Sequence, residues 1–168
     1  LIIRTYYSAF YAAHSLLRMF GNSCNQLEAG HCKVIEKVAN LSSMQNGIRV
    51  NKGFYCLKIN SDTNEMIFTK LTGGSHEGMW SEFRDFIVEL ANEILQSDGL
   101  TDEQQKAFTF LNDVADNISN GNFSQKGNWL SHVRNVTTYR HSYGSWFPYT
   151  SYKHYYEHLF ENCTKWKE

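Results

Sequence analysis

The segment IRTYYSAFYAAHSLLRMF, residues 3–20, decides the expected fold. Its apolar and aromatic side chains recur every three or four residues, which is the spacing of a helix with one buried face. These positions are Ile3, Tyr6, Tyr7, Phe10, Ala13, Leu17 and Phe20. Gly21 follows and can end the helix in the left-handed conformation. The sequence therefore predicts that the chain opens with an amphipathic helix packed against a core.

Several later segments carry the same helical spacing. Asn25 with Glu28 three residues later is a capping-box pattern, and it predicts a second helix that ends near Leu41. Further helices are predicted from about Trp80 to Asp98, from Thr101 to Gly121, around Leu130 to Tyr143, and after Pro148. The single proline of the chain fits this helical reading, because proline commonly interrupts helices.

Two short segments break the helical spacing. FYCLKI at 54–59 and MIFTKL at 66–71 are rich in aromatic and branched residues and flank a polar stretch, which is the pattern of a β-hairpin. A lone hairpin is marginally stable in water, so we expect it to pack on the helices or on a partner chain. The Gly73-Gly74-Ser75 turn after it lacks the lysine of a phosphate-binding loop and is interpreted as a connector. The predicted fold is all-α, an antiparallel bundle of five or six helices with a β-hairpin inserted at about residues 48–72.

Composition predicts one domain over residues 1–168. The chain has 168 residues and 42% hydrophobic content, enough for one well-filled core. Its formal net charge of -1 creates no general field for nucleic acid, so a polyanion needs a local basic site. The four cysteines form no C-x-x-C pair, and we expect reduced, packed thiols; they are Cys24, Cys32, Cys56 and Cys163.

The hydropathy of the chain and its first residues bear on the cellular compartment of the protein. No run of 18 or more apolar residues occurs, so no membrane association is expected. No secretory signal is visible either, which favours the cytoplasm. The chain begins at Leu1 without methionine and already in a helical pattern, so we expect a truncated N-terminus.

The segment LSHVRNVTTYRH, residues 130–141, carries the candidate chemistry. Arg134 and His141 are seven positions apart, so in a helix both leave the same face, separated by about 10 Å. A guanidinium that binds phosphate and an imidazole that moves protons suffice to cut RNA without a metal. The spacing alone has little specificity, because about one such pair is expected by chance. An arginine and a histidine at the edge of a core can equally satisfy carboxylates or carbonyls.

Two stretches resemble the HEPN superfamily, whose active members are ribonucleases built on a helical bundle. Arg134-Asn135, followed after five residues by His141, resembles its arginine, polar residue and histidine motif. The stretch RTYYSAFYAAHSLL at residues 4–17 resembles the first helix of many HEPN proteins. The hairpin at 54–71 departs from the minimal HEPN bundle. The resemblance implies a metal-independent endoribonuclease of the toxin or antiphage-defence type that acts as a homodimer with facing motif helices.

The resemblance also implies roles for the motif residues. His141 would act as general base or acid at the ribose 2′-hydroxyl, Arg134 would stabilise charge on the phosphorane, and Asn135 would orient the site. The product would carry a 2′,3′-cyclic phosphate, and no cofactor or metal is implied. The alternative is a non-catalytic HEPN module that binds a nucleotide or a partner such as a nucleotidyltransferase antitoxin.

Residues after the motif are candidates for binding RNA. Arg140 can contact a neighbouring phosphate, and Tyr143 and Trp146 can stack on unpaired bases. Each has a structural alternative, because Arg140 can be a solvated charge and the two aromatic residues can clamp helices together. An acidic helix face at Glu82, Asp85 and Glu89 has no paired histidines and is interpreted as polar surface.

Overall fold

The computed structural model describes residues 2–41, 48–60, 62–99, 101–120 and 127–139. Within these ranges the chain forms five α-helices and three β-strands. In chain order they are α1 (Ile2–Met19), β1 (Asn22–Leu27), α2 (Ala29–Leu41), β2 (Gly53–Asn60), β3 (Glu65–Lys70), α3 (Ser75–Gln96), α4 (Thr101–Ser119) and α5 (Trp129–Tyr139). The helix predicted after Pro148 and the helix end predicted at Gly121 lie outside the described residues.

The three strands form one antiparallel sheet in the order β1-β2-β3. The strands predicted at 54–59 and 66–71 are present as β2 and β3, but they are not an isolated hairpin, because β1 pairs with the other edge of β2. The predicted all-α bundle with an inserted hairpin is therefore wrong, and the fold combines helices with a three-stranded sheet. A third strand gives the hairpin the added pairing that two strands lack in water.

The strand β1 lies where the sequence predicts the start of a helix. The capping-box pattern at Asn25 and Glu28 gave a wrong boundary, since α2 begins at Ala29. The backbone of residues 22–27 pairs with β2 instead, and Cys24 and Leu27 become buried. This pairing satisfies a whole row of main-chain groups, whereas a cap satisfies one or two.

Gly21 turns the chain from α1 into β1. Its φ angle is 76°, in the left-handed region that the sequence predicts for this glycine. Its carbonyl accepts a hydrogen bond from the main-chain N–H of Ile59 at 3.1 Å. The helix end is thus tied directly to the central strand.

The main core lies where α1, α3, α4 and the sheet meet. Its buried residues are Tyr6, Ala13, Leu17, Cys24, Phe54, Cys56, Met79, Trp80, Phe83, Phe86, Ile87, Ala115 and Ile118. Helix α3 supplies the largest share and contacts α1, α4, α5, β1 and β2. The side chain of Trp80 is only 2% exposed. Helix α3 is therefore the central element against which the site-bearing helices α1 and α5 are positioned.

Helix α3 begins earlier than the sequence predicts. Ser75 is its first residue. The sequence predicts instead that the Gly73-Gly74-Ser75 turn is a connector and that the apolar stripe starts at Trp80. The stripe in fact extends back through Met79 to His76, since residues 76, 79, 80 and 83 follow the helical spacing. As a result His76 lies in the first turn of a core helix.

The structure also bears on the predictions for the cysteines and for membrane-spanning segments. Cys24, Cys32 and Cys56 are buried free thiols, as predicted, and Cys163 lies outside the described residues. Among the helices of the described ranges, none has the length and apolar character needed to cross a membrane.

Candidate functional site

Arg134 lies at the edge of the core on α5. Val133 and Val136 on either side of it are 5% and 7% exposed, Arg134 itself is half-buried, and Asn135 is exposed. The helical spacing predicts this placement beside the apolar stripe. The guanidinium is therefore partly shielded from water yet is not sealed inside the protein.

Three neighbours hold the Arg134 side chain. Its Nη1 donates to Oδ1 of Asn135 at 2.8 Å, and its Nη2 donates to the hydroxyl of Tyr7 at 3.2 Å. The ring centroid of Tyr139 lies 5.2 Å from its Cζ, which is a cation–π distance. The Nε atom is buried and has no hydrogen-bond partner in the described part of the chain. A guanidinium has five N–H donors, so these contacts fix its plane while using only some of them.

The charge of Arg134 is maintained by its tyrosine neighbours. Burial alone would lower the pKa of the guanidinium, but the hydrogen bond and charge interaction with Tyr7, together with those of Tyr139, raise it above its ordinary value. The side chain is a permanent cation at every physiological pH.

A second polar chain runs from α3 through α1 beside Arg134. Trp80 Nε1 donates to the hydroxyl of Tyr6 at 3.1 Å, and that hydroxyl lies 2.8 Å from Nδ1 of His76. The His76 ring also packs edge-on against Tyr7, with ring centroids 5.9 Å apart. Tyr7 thus contacts both His76 and Arg134. We call Tyr6, Tyr7, His76, Trp80 and Arg134 the Arg134 cluster.

Three titratable groups of this region, Tyr6, His76 and His14, are shifted toward their neutral forms. Burial raises the pKa of Tyr6 to about 12, so its hydroxyl keeps its hydrogen. Burial, and then the charge of Arg134, lower the pKa of His76. Burial, Arg18 and His76 likewise lower the pKa of His14. Arg134 is thus a cation close to the neutral imidazole of His76.

The structure tests only part of the predicted site. It brings Arg134 and Asn135 together through a direct hydrogen bond. His141, the predicted general base or acid, lies outside the described residues. So do the predicted RNA contacts, which are Arg140, Tyr143 and Trp146. Their placement and the pairing of His141 with Arg134 stay predictions.

Three side chains around Arg134 were not among the predicted site residues. They are Tyr7, His76 and Tyr139. Tyr7 belongs to the apolar stripe of the first helix, where an aromatic residue reads as core. His76 follows a turn that reads as a connector, although its spacing to Met79 and Trp80 marks it as part of the helix. Tyr139 is 65% exposed, and only the fold shows that its ring lies beside the guanidinium.

The acidic side chains of α3 lie on its polar surface. Asp85 pairs with Arg84 at 2.8 Å, and Glu89 pairs with Lys58 of β2 at 3.4 Å. Over the ranges that the structure describes, no three His, Cys, Asp or Glu side chains group closely enough to hold a metal ion.

Comparisons of the chain with protein-family models, with curated proteins and with solved structures found no match. The likeness to HEPN proteins therefore rests on the Arg134, Asn135 and His141 motif and on the first helix at residues 4–17.

Proposed function

We propose that the chain is a metal-independent endoribonuclease of the toxin or antiphage-defence type, with Arg134 as its phosphate-binding group. The observation that carries the proposal is the way Arg134 is held. Its guanidinium is half-buried and is fixed by Tyr7 and Asn135, and its five N–H donors outnumber these two hydrogen bonds. A cation fixed in a partly dry site stabilises negative charge far better than a mobile surface arginine.

The reaction that suits this site is internal transesterification of RNA. The ribose 2′-oxygen attacks phosphorus, the bond to the 5′-oxygen breaks, and the products carry a 2′,3′-cyclic phosphate and a 5′-hydroxyl. His141 is proposed to take the 2′-hydroxyl proton or to supply the proton for the leaving oxygen. Arg134 is proposed to stabilise the charge that builds on the phosphorane oxygens, with Asn135 keeping the guanidinium in plane.

A homodimer is part of the proposal. As the sequence predicts, an Arg134 and His141 pair spread over about 10 Å of helix would suit a cleft that a second copy completes. The exposed ring of Tyr139 beside Arg134 offers a flat surface to an unpaired base or to the partner copy. We further propose that the protein acts in the cytoplasm, where RNA substrates are found.

Cleavage of a mixed RNA pool in the presence of EDTA tests the function. The unchanged chain is expected to cut, and Arg134→Ala and His141→Ala are each expected to lose about a hundredfold or more in rate. Arg49→Ala is the matched control, because Arg49 is an exposed arginine before β2 and is not part of α5. Cleavage that survives in both site variants contradicts the assignment.

Dependence of the rate on protein concentration tests the shared site. If two copies form it, the rate per chain rises with concentration through the range in which light scattering detects dimers. A rate per chain that stays constant while the monomer converts to dimer contradicts a shared site.

One observation favours a second candidate function. Both terminal nitrogens of Arg134 already make internal hydrogen bonds, as they would in a purely structural role. The chain would then be a non-catalytic HEPN module that binds a nucleotide or a nucleotidyltransferase antitoxin. Saturable nucleotide or partner binding without cleavage at any protein concentration supports this candidate over the nuclease.

A further inference from the structure

His76 belongs to the Arg134 cluster, and the proposed mechanism gives its imidazole no role. It lies half-buried in the first turn of α3, and Tyr7 contacts both its ring and the guanidinium of Arg134. All three side chains belong to one protomer and to three different helices, α1, α3 and α5. The core packing of these helices therefore fixes the imidazole relative to the guanidinium.

The hydrogen bonds of Tyr6 bear on the tautomer of His76. An indole N–H is only a donor, so the Tyr6 oxygen accepts from Trp80, and the hydrogen of the Tyr6 hydroxyl is left for Nδ1 of His76, which lies 2.8 Å away. In the tautomer in which Nδ1 accepts this hydrogen, the hydrogen of the neutral ring is on Nε2. Nε2 is then an N–H donor instead of a base.

The surroundings keep this donor neutral and favour an anion in front of it. Burial and the charge of Arg134 both oppose protonation of the ring and lower its pKa. Gly74 precedes α3 and supplies no side-chain cap, so the positive end of the helix dipole also faces this region. The acidic group in the same turn, Glu77, accepts a hydrogen bond from Asn128 at 2.7 Å, which offsets part of its charge.

We propose that His76 is a second phosphate-binding residue of the Arg134 site and that its Nε2–H donates to a phosphate oxygen of RNA as a neutral group. Tyr6 is the positioning residue that sets the tautomer. The proposal rests on the proposed function for the identity of the ligand. It adds that one protomer alone holds a two-donor phosphate site, and that proton transfer is left to another group.

Binding of an uncleavable RNA tests the proposal apart from cleavage. The probe is a 2′-O-methylated RNA oligonucleotide, which lacks the attacking hydroxyl, titrated against the full chain at fixed salt and followed by fluorescence anisotropy. His76→Ala is expected to weaken binding about tenfold, the loss of one hydrogen bond to a charged group. His76→Gln keeps an N–H donor near the same place and is expected to recover most of that loss. His31→Gln, an exposed histidine in the first turn of α2, is the control and is expected to bind normally.

The results separate this inference from the function. Normal binding by His76→Ala, or equal loss in the Gln and Ala variants, overturns the role of His76 as a donor. If ordinary RNA is not cut while binding still depends on His76, the nuclease is wrong and the phosphate site stands. If RNA is cut and His76→Ala binds and cuts normally, the nuclease stands and the His76 inference is wrong.

Nitrogen-15 NMR of the unchanged protein tests the tautomer directly. Two-bond proton–nitrogen correlations at pH 7.5 are expected to show His76 with its hydrogen on Nε2, and Tyr6→Phe is expected to introduce the other tautomer. Hydrogen on Nδ1 in the unchanged protein overturns the proposal, whether or not the variants fold.

Discussion

Two buried regions of this protein hold their polar atoms in opposite ways. In the Arg134 cluster the side chains are joined by strong, directed hydrogen bonds, from Trp80 to Tyr6 and from Arg134 to Tyr7. In the sheet, Cys24 and Cys56 are opposite each other on β1 and β2, both nearly inaccessible. A hydrogen bond with Cys24, and then burial, raise the pKa of the Cys56 thiol, which stays uncharged. We infer that the Arg134 cluster orients its polar groups toward a ligand, whereas the thiol pair, with its weak hydrogen bonds, mainly fills the core.

Replacing Trp80 with alanine is expected to give the largest effect. Trp80 is 2% exposed and joins the main core to the hydrogen-bond chain. Truncation is expected to lower the free energy of unfolding by about 3–5 kcal/mol, the usual cost of deleting a buried large aromatic ring. Urea denaturation followed by circular dichroism measures it. Trp80→Phe separates packing from hydrogen bonding, since it keeps a ring and removes the N–H.

Removing the hydroxyl of Tyr6 is expected to have the next largest effect. Tyr6→Phe leaves the indole N–H of Trp80 buried without its acceptor, so we expect a loss of about 1–3 kcal/mol in the free energy of unfolding. Tyr11→Phe is the matched control, because Tyr11 is on the same helix and 64% exposed. It is expected to stay within about 0.5 kcal/mol of the unchanged protein. Equal losses in the free energy of unfolding for the two variants would show that the hydrogen bonds of Tyr6 do not stabilise the fold.

The fold was predictable from the sequence where the pattern is local. The stripe of the first helix, the left-handed Gly21 and the strands of β2 and β3 all follow from spacing and residue type. The strand β1 could not be predicted in this way, because residues 22–27 have little β-branched or aromatic character. This stretch also begins a pattern that is typical of a helix cap. Only pairing with β2, distant in sequence, decides its conformation, and tertiary pairing overrides local preference.

The surroundings of Arg134 were predictable only in part. Arg134 and Asn135 stand out by motif, and the helical spacing that predicts Arg134 at the edge of the apolar stripe agrees with the structure. His76 does not stand out, because its proposed role depends on its packing with Tyr6 and Trp80. The fold, not the local sequence, brings these side chains together. A polar network of this kind is a property of three packed helices, and no single stretch of sequence contains it.

Alanine substitutions of the thiol pair are expected to cost less than the change at Tyr6. Cys24→Ala and Cys56→Ala each remove one buried sulfur atom, and thiols are weak hydrogen-bond donors. We expect a loss of about 1 kcal/mol each in urea denaturation. Cys56→Ser is the informative comparison, because it keeps the shape of the side chain, with a smaller oxygen in place of sulfur, and adds a hydroxyl that burial penalises. If serine is tolerated better than alanine, the thiol pair is a polar site like the Arg134 cluster, and the contrast between the two regions fails.

The smallest effect is expected in the pH dependence of stability between pH 7.5 and 5.5. The pKa values of His14 and His76 are lowered in the folded protein, so the unfolded chain binds their protons first as the pH falls. Their contribution to stability is complete above the ordinary histidine pKa of about 6.5 and is lost as the pH falls through the folded values. Arg18 and Arg134 face these rings and add repulsion once the rings are charged.

The melting temperature is therefore expected to fall on acidification, and the double variant His14→Gln with His76→Gln is expected to lose part of this slope. His31→Gln, with its histidine exposed on α2, is the control and is expected to keep the slope of the unchanged protein. Thermal denaturation in one buffer series at constant ionic strength measures all three. An unchanged slope in the double variant would mean that the two rings are no more shielded from protons in the folded state than in the unfolded chain. The neutral donor assigned to His76 would then lose its electrostatic basis, even though the hydrogen bond to Tyr6 remained.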